Sequence, residues 1–156
     1  MATINESIEV NVPVRTAYNQ WTQFEDFPRI MNGVREVRQL DDRHLHWSAQ
    51  VWGKDLEWDS EITRQIPDKL IEWRSISGPD NGGFVEFRPV AGNKTEISLH
   101  IDYEPRGVTE NVGAALGVAK SRVHNDLEKL KDFLEERGVE TGAWRGSIGG
   151  EGNLSS

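Results

Sequence analysis

Residues 44–62, HLHWSAQVWGKDLEWDSEI, decide the fold. Apolar and polar side chains alternate on both sides of Trp52-Gly53, the period of two expected of half-buried strands, and that dipeptide interrupts them as a hairpin turn would. A two-residue turn there pairs Val51 with Lys54, and hence Ala49 with Leu56, Trp47 with Trp58 and Leu45 with Ser60. Apart from Ser60, and Lys54 next to the turn, one face of the ribbon is then apolar. The other face sets Asp55, Glu57, Asp59 and Glu61 opposite Gln50, Ser48, His46 and His44. A slip of one residue would bury four carboxylates, so the register is strongly specified.

The same apolar surface continues outward from this ribbon. A turn at Pro67-Asp68-Lys69-Leu70 matches Ile66 with Ile71, Arg64 with Trp73 and Ile62 with Ser75. The Gly78-Pro79-Asp80-Asn81-Gly82 loop matches Ser75 with Val85 and Trp73 with Phe87, and Ala91-Gly92-Asn93 matches Phe87 with Ile97 and Val85 with Leu99. Four consecutive hairpins share one face. Residues 34–40 alternate poorly, which leaves their facing open. Upstream, Ile4, Glu6, Ile8, Val10 and Val12 fall on one side of a first strand that Pro13 ends. Between 14 and 31 the apolar spacing lengthens to three or four residues, which predicts two short helices separated at Pro28.

Beyond Pro105 a single long helical stripe runs through Val108, Val112, Leu116, Val123, Leu127, Leu130 and Leu134. Thr109 is its expected cap, Glu110 suits its positive end, and Arg137-Gly138 supplies the stop. The first half of this helix is thin, with Gly113, Ala114, Ala115, Gly117 and Ala119. Each Gly costs about 1 kcal/mol of helix propensity relative to Ala. Two explanations stand open: close approach of the backbone to the sheet, or an empty volume beside it. From Gly138 onward six of nineteen residues are Gly and no periodicity remains. Residues 1–137 therefore read as one domain and 138–156 as a largely disordered tail. Trp144-Arg145 is the feature there that would fold back or meet a partner.

Composition narrows the function classes. With 18 Lys and Arg against 26 Asp and Glu, the chain of 156 residues carries a net charge of −8, which repels polyphosphates; binding to nucleic acid or an anionic membrane is not expected. Cysteine is absent, which excludes disulfides, thiolate metal sites and a Cys nucleophile and fits a reducing compartment. No apolar run approaches the roughly 18 residues of a membrane span, and the start lacks a signal-peptide pattern. A soluble, cytoplasmic chain is expected.

The order of one strand, two short helices, six further antiparallel strands and a long C-terminal helix resembles the α+β helix-grip fold of the START-like superfamily. More narrowly it resembles the bacterial polyketide cyclase/dehydrase and lipid-transport (SRPBCC) group. Residues 8–14, Ala17-Tyr18, Trp21, Phe27-Pro28, 58–62, 71–75, 83–87 and 95–97 carry the likeness. It implies a curved seven-stranded sheet wrapped around the long helix, with a cavity between them. On the register above, that cavity's wall takes Trp47, Trp58 and Trp73, then Val85, Phe87, Leu99 and Ile101, with Ser60 and Ser75 as polar points. Val112, Leu116 and Gly117 face them from the helix.

The resemblance implies a binder or carrier of a small hydrophobic or aromatic molecule such as a lipid, a quinone or a polyketide-like compound. Its cyclases polarise a carbonyl with a few pocket groups, for which Tyr103 and Arg64 are the inward candidates, so an aromatase/cyclase or dehydratase is the alternative. A protein partner held by the tail or the acidic outer face is a third reading. No cofactor and no metal is expected. His44 and His46 share a strand face but meet Glu61 and Asp59 there, which reads as charge pairing. No nucleophile elbow, Walker motif, GxGxxG or HExxH occurs.

Overall fold

The computed structural model describes residues 2–31, 33–51, 54–78, 80–103 and 112–149. In chain order the elements are β1 (Ala2–Val10), α1 (Val14–Trp21), a single 3-10 turn (Phe24–Asp26), α2 (Phe27–Ile30), β2 (Val34–Gln39), β3 (His44–Val51), β4 (Lys54–Ile66), β5 (Leu70–Ser75), β6 (Asn81–Val90), β7 (Lys94–Tyr103) and α3 (Val112–Arg137). The strands form one antiparallel sheet in the order β1-β7-β6-β5-β4-β3-β2. It is a meander from β2 to β7, to whose far edge the chain's first strand is added. This is the expected α+β architecture, a curled seven-stranded sheet with short helices after β1 and a C-terminal helix. The break in the 14–31 segment falls at Thr22-Gln23, however, and Pro28 sits in the first turn of α2, where its missing N–H costs nothing.

Two of the four hairpin registers are those the sequence dictates. Trp47 lies opposite Trp58 and Leu45 opposite Ser60, and Phe87 opposite Ile97 and Val85 opposite Leu99. The other two differ. Asp68 adopts a left-handed φ of 64°, which shortens the β4–β5 connection to three residues and pairs Ile66 with Leu70 and Gln65 with Ile71. A bulge between Ile62 and Arg64 then absorbs one residue, so Ile62 pairs with Trp73 and Ser60 with Ser75. Arg64 is thereby moved opposite Glu72 and off the face that carries Trp73. Between β5 and β6 the partners slide by four, with Trp73 opposite Gly83 and Ile71 opposite Val85. An even shift keeps every side chain on its face. A second bulge, between Val34 and Glu36, explains the broken alternation of β2, in which Val37 alone is buried.

The core lies at the end of the concave face that α1, α2 and the C-terminal half of α3 cover. Leu127, Leu130 and Leu134 of α3 are at most 1% exposed, and the helix stops where Gly138, at φ 72°, donates its N–H to the Leu134 carbonyl (2.8 Å). Tyr18 and Trp21 of α1 both meet the Phe87 ring edge-on, at 5.4 and 6.0 Å. For Val112, Leu116 and Gly117 only the helical backbone is described, and Trp52-Gly53, Pro79, Val108, Thr109 and Glu110 lie outside the described residues.

The tail expected to be disordered is, through Gly149, a docked strap. Asn19, Gln20 and Thr22 of the α1 region are polar yet at most 2% exposed, and the strap supplies their partners. Asn19 Nδ2 donates to Glu140 (2.7 Å), Thr141 N–H to Gln20 Oε1 (2.8 Å) and Trp144 N–H to Thr22 Oγ1 (3.1 Å). Ile148, 4% exposed, exchanges both backbone bonds with Gln65. Unpaired buried amides are costly, so α1 and the strap require one another.

Candidate ligand-binding site

The concave face divides into a packed end and an open end. At the packed end Val85, Phe87 and Leu99 are 0%, 4% and 6% exposed. These three expected wall residues are the floor on which α1 sits rather than free surface. At the open end Trp47, Trp58, Trp73, Ile101 and Tyr103 are half-buried. The Trp47 and Trp58 rings stack in parallel at 6.0 Å, and Phe27 of α2 tilts against Trp47 at 5.8 Å. The position beside Trp73 on β6 is Gly83, so the indole has no side chain on that flank. A Cβ at Gly83 would stand 2.0 Å from the His100 carbonyl oxygen, hence glycine there.

A row of hydroxyls crosses this apolar wall. Register places Ser60 beside Ser75 and Tyr103 beside Asn81. Ser60 Oγ accepts the Trp47 Nε1–H bond (2.9 Å), and Ser75 Oγ accepts the Asn81 N–H (3.0 Å). Ser75 is half-buried and keeps its O–H to donate, whereas Ser60 is only 1% exposed and lies beneath the open surface. Partial burial pushes the Tyr103 phenol above its ordinary pKa, so it too stays a donor at neutral pH. The described strands place no Lys or Arg beside Trp73, Ser75 or Tyr103; the inward basic position is Lys54, the first residue of β4, opposite Val51. The inward carboxylate, Glu6, meets His124 of α3 at 3.2 Å. Arg64, one of the two expected catalytic groups, is not at the site, because the bulge turns it to the convex side with its Cγ near Gly149.

The convex face offers less. Thr63, Glu72, Arg74, Phe84, His100 and Asp102 line a shallow groove of about 440 Å³. Its polar groups are largely spent on one another: Thr63 donates to Glu72 (2.9 Å), and His100 contacts Asn5 (2.6 Å) and Asp102 (3.1 Å) while stacking on Phe84 (4.8 Å). On the same face His46 lies between Asp59 (2.6 Å) and Glu57 (2.9 Å), and these hydrogen bonds, Asp59 first, raise its pKa above the ordinary value. The sign follows. A raised folded pKa contributes stability fully present below about pH 6.5 and lost as pH climbs through the raised value. His46→Gln should therefore flatten the rise in melting temperature as pH is lowered from 8 toward 6; an unchanged slope would show that the pair contributes nothing.

The sequence matches the family described as polyketide cyclase/dehydrase and lipid transport over residues 10–135. The chain belongs to this family. An uncharacterised 17.2 kDa protein of Streptomyces lincolnensis is 48% identical over 149 residues, which cover 95% of this chain and 99% of that protein. Among solved structures, the family's fold is shared by the Zhui aromatase/cyclase from Streptomyces sp. R1128, at a TM-score of 0.74 and 16% identity over 92% of this chain and 99% of that one. A START superfamily protein from Mycobacterium smegmatis is similar at a TM-score of 0.68 and 16% identity, over 86% of this chain and 95% of that chain. At such identities the likeness carries the fold alone. Among the described residues no helix is long and apolar enough to cross a membrane.

Sequence reasoning missed Phe27 as the neighbour of Trp47, and it missed the pairing of Gln65 with Tyr18 (2.9 Å) beneath the strap. The bulge that turns Gln65 inward leaves no mark in the alternation until Gln65-Ile66 breaks it. Trp144 in a glycine-rich stretch was the legible signal for the strap.

Proposed function

We propose that the protein binds and carries a small, neutral, largely apolar molecule bearing a carbonyl-type acceptor, held at the open end of the concave face against Trp47, Trp58 and Trp73. The observation that carries this reading is the wall itself: half-buried tryptophans beside the hydroxyls of Ser75 and Tyr103, with no Lys or Arg next to them on the described strands. A ligand burying about 300 Å² of apolar surface gains roughly 7.5 kcal/mol from transfer. Association takes back a large share, and micromolar affinity remains without any catalytic group. A carboxylate ligand at Trp73 and Ser75 would find hydroxyls but no strand cation beside them, with Glu6 on the same face.

An enzyme of the aromatase/cyclase or dehydratase kind is the second reading, favoured by the Tyr103 hydroxyl, which has no partner among the described residues. Tryptophan-quenching titrations with an anthraquinone and with a fatty acid of similar apolar area test the first reading. The quinone should bind at least roughly tenfold tighter, the value of about one net hydrogen bond; equal or tighter fatty-acid binding would overturn it. Tyr103→Phe separates the two readings. A carrier loses affinity for the quinone by about that factor, whereas an enzyme loses turnover with its affinity unchanged.

A further inference from the structure

The strap is anchored and penalised at the same time. Among the described residues three buried side-chain atoms lack a hydrogen-bond partner: Arg64 Nε, Gln65 Oε1 and Asp68 Oδ1. All three residues touch the strap. Arg64 lies beside Gly149, Gln65 bonds Ile148, and Asp68 pairs with Arg145. Burying these atoms forfeits hydration without a return bond, a penalty that opening the strap relieves. Against it stand the bonds from the strap to Asn19, Gln20 and Thr22 and one charged anchor. The Arg145 guanidinium lies over the Tyr18 ring at 5.5 Å, donates to Asn19 Oδ1 (2.6 Å) and meets Asp68 Oδ2 (2.8 Å).

The strap's seat is a sheet edge. The β3–β4 pairing ends at His44 with Glu61, yet β4 continues to Ile66. Along that overhang the Ile62 N–H is taken by the Arg43 carbonyl (2.6 Å), while Gln65 and Ile148 bond each other at 2.8 and 2.9 Å. The isolated Gln65–Ile148 bridge is a minimal form of strand addition by the segment that follows α3. The strap sequence fits the seat closely: a Cβ at Gly149, whose φ is 79°, would come 2.7 Å from the Thr63 carbonyl oxygen, and one at Gly142 would come 2.6 Å from Gln23.

We infer that residues 139–149 are a releasable latch over a peptide-docking edge, which accepts an extended peptide presenting an arginine three residues before an apolar side chain. The tethered strap is its resident occupant, at an effective concentration of about a millimolar, so a partner gains the edge as Arg145 lets go. This stands independently of the cavity and its ligand.

The test uses the full-length chain and a synthetic peptide of residues 139–149. In hydrogen exchange the Trp144 and Ile148 amides should open at least about tenfold faster than those of Val85 and Ile97 in the sheet. Arg145→Ala should speed the strap amides by a further factor of roughly ten or more, the value of a charge-assisted bond, and leave Val85 and Ile97 unchanged. The peptide should bind this variant at least about tenfold tighter than the wild-type chain, and a peptide with Arg145→Ala should not bind. Strap and sheet amides exchanging together in the wild type would overturn the latch. Failure of the peptide to bind a variant whose sheet amides remain protected would overturn the docking edge.

Discussion

Phe87→Ala is expected to lower the free energy of unfolding by about 3–5 kcal/mol, a large fraction of the total of roughly 5–15 kcal/mol of a domain. The ring is 4% exposed and takes the edges of both Tyr18 and Trp21. Its removal leaves a cavity beneath α1 that the curved sheet, hydrogen-bonded on both flanks of β6, closes only in part. The effect passes on to the strap, because Tyr18 also supports Arg145 and Gln65. Urea titration measures it as a fall in midpoint at constant slope. A loss below about 1 kcal/mol would mean that α1 is not the lid of the core.

Trp73→Ala is expected to weaken binding of a neutral aromatic ligand by about 2 kcal/mol, or roughly thirtyfold in Kd, with a smaller loss of stability. Trp73 lies between Ile62 on β4 and the bare backbone of Gly83 on β6, so its ring keeps a flank without a side chain on which a guest can lie. Phe87 and Trp73 thus separate the two halves of the concave face. One substitution acts on folding and the other on binding. Quenching titrations on the variant, with the remaining tryptophans as reporters, give the affinity. Unchanged Kd would move the ligand away from the open end.

These two residues also mark what the sequence could and could not disclose. The β3–β4 and β6–β7 registers were legible because each has a turn whose residues demand one length and a polar face that punishes a slip; Asn93 and Gly92, both at positive φ, close the second of them. The β4–β5 register was not, because Pro67-Asp68-Lys69-Leu70 suits a four-residue turn equally well, and only the left-handed Asp68 with its compensating bulge decides. That one residue removed Arg64 from the concave face and turned Gln65 onto it, beneath the strap. Even so, Trp73 and Ser75 kept their facing, since β5 pairs with β6 four residues away from the expected partners and sidedness survives an even shift. The strap escaped because its hold rests on polar side chains of α1 more than a hundred residues away, which carry no local periodicity.

The most direct test of the account is native mass spectrometry of the protein as purified, followed by organic extraction of any added mass. A stoichiometric, neutral, largely apolar adduct with at least one carbonyl-type oxygen is the predicted result, and it should be diminished in Trp73→Ala. A clean apo mass that persists after challenge with lipids, quinones and aromatic polyketides would contradict it, and would make the tryptophan-lined end of the sheet a packing surface rather than a binding site.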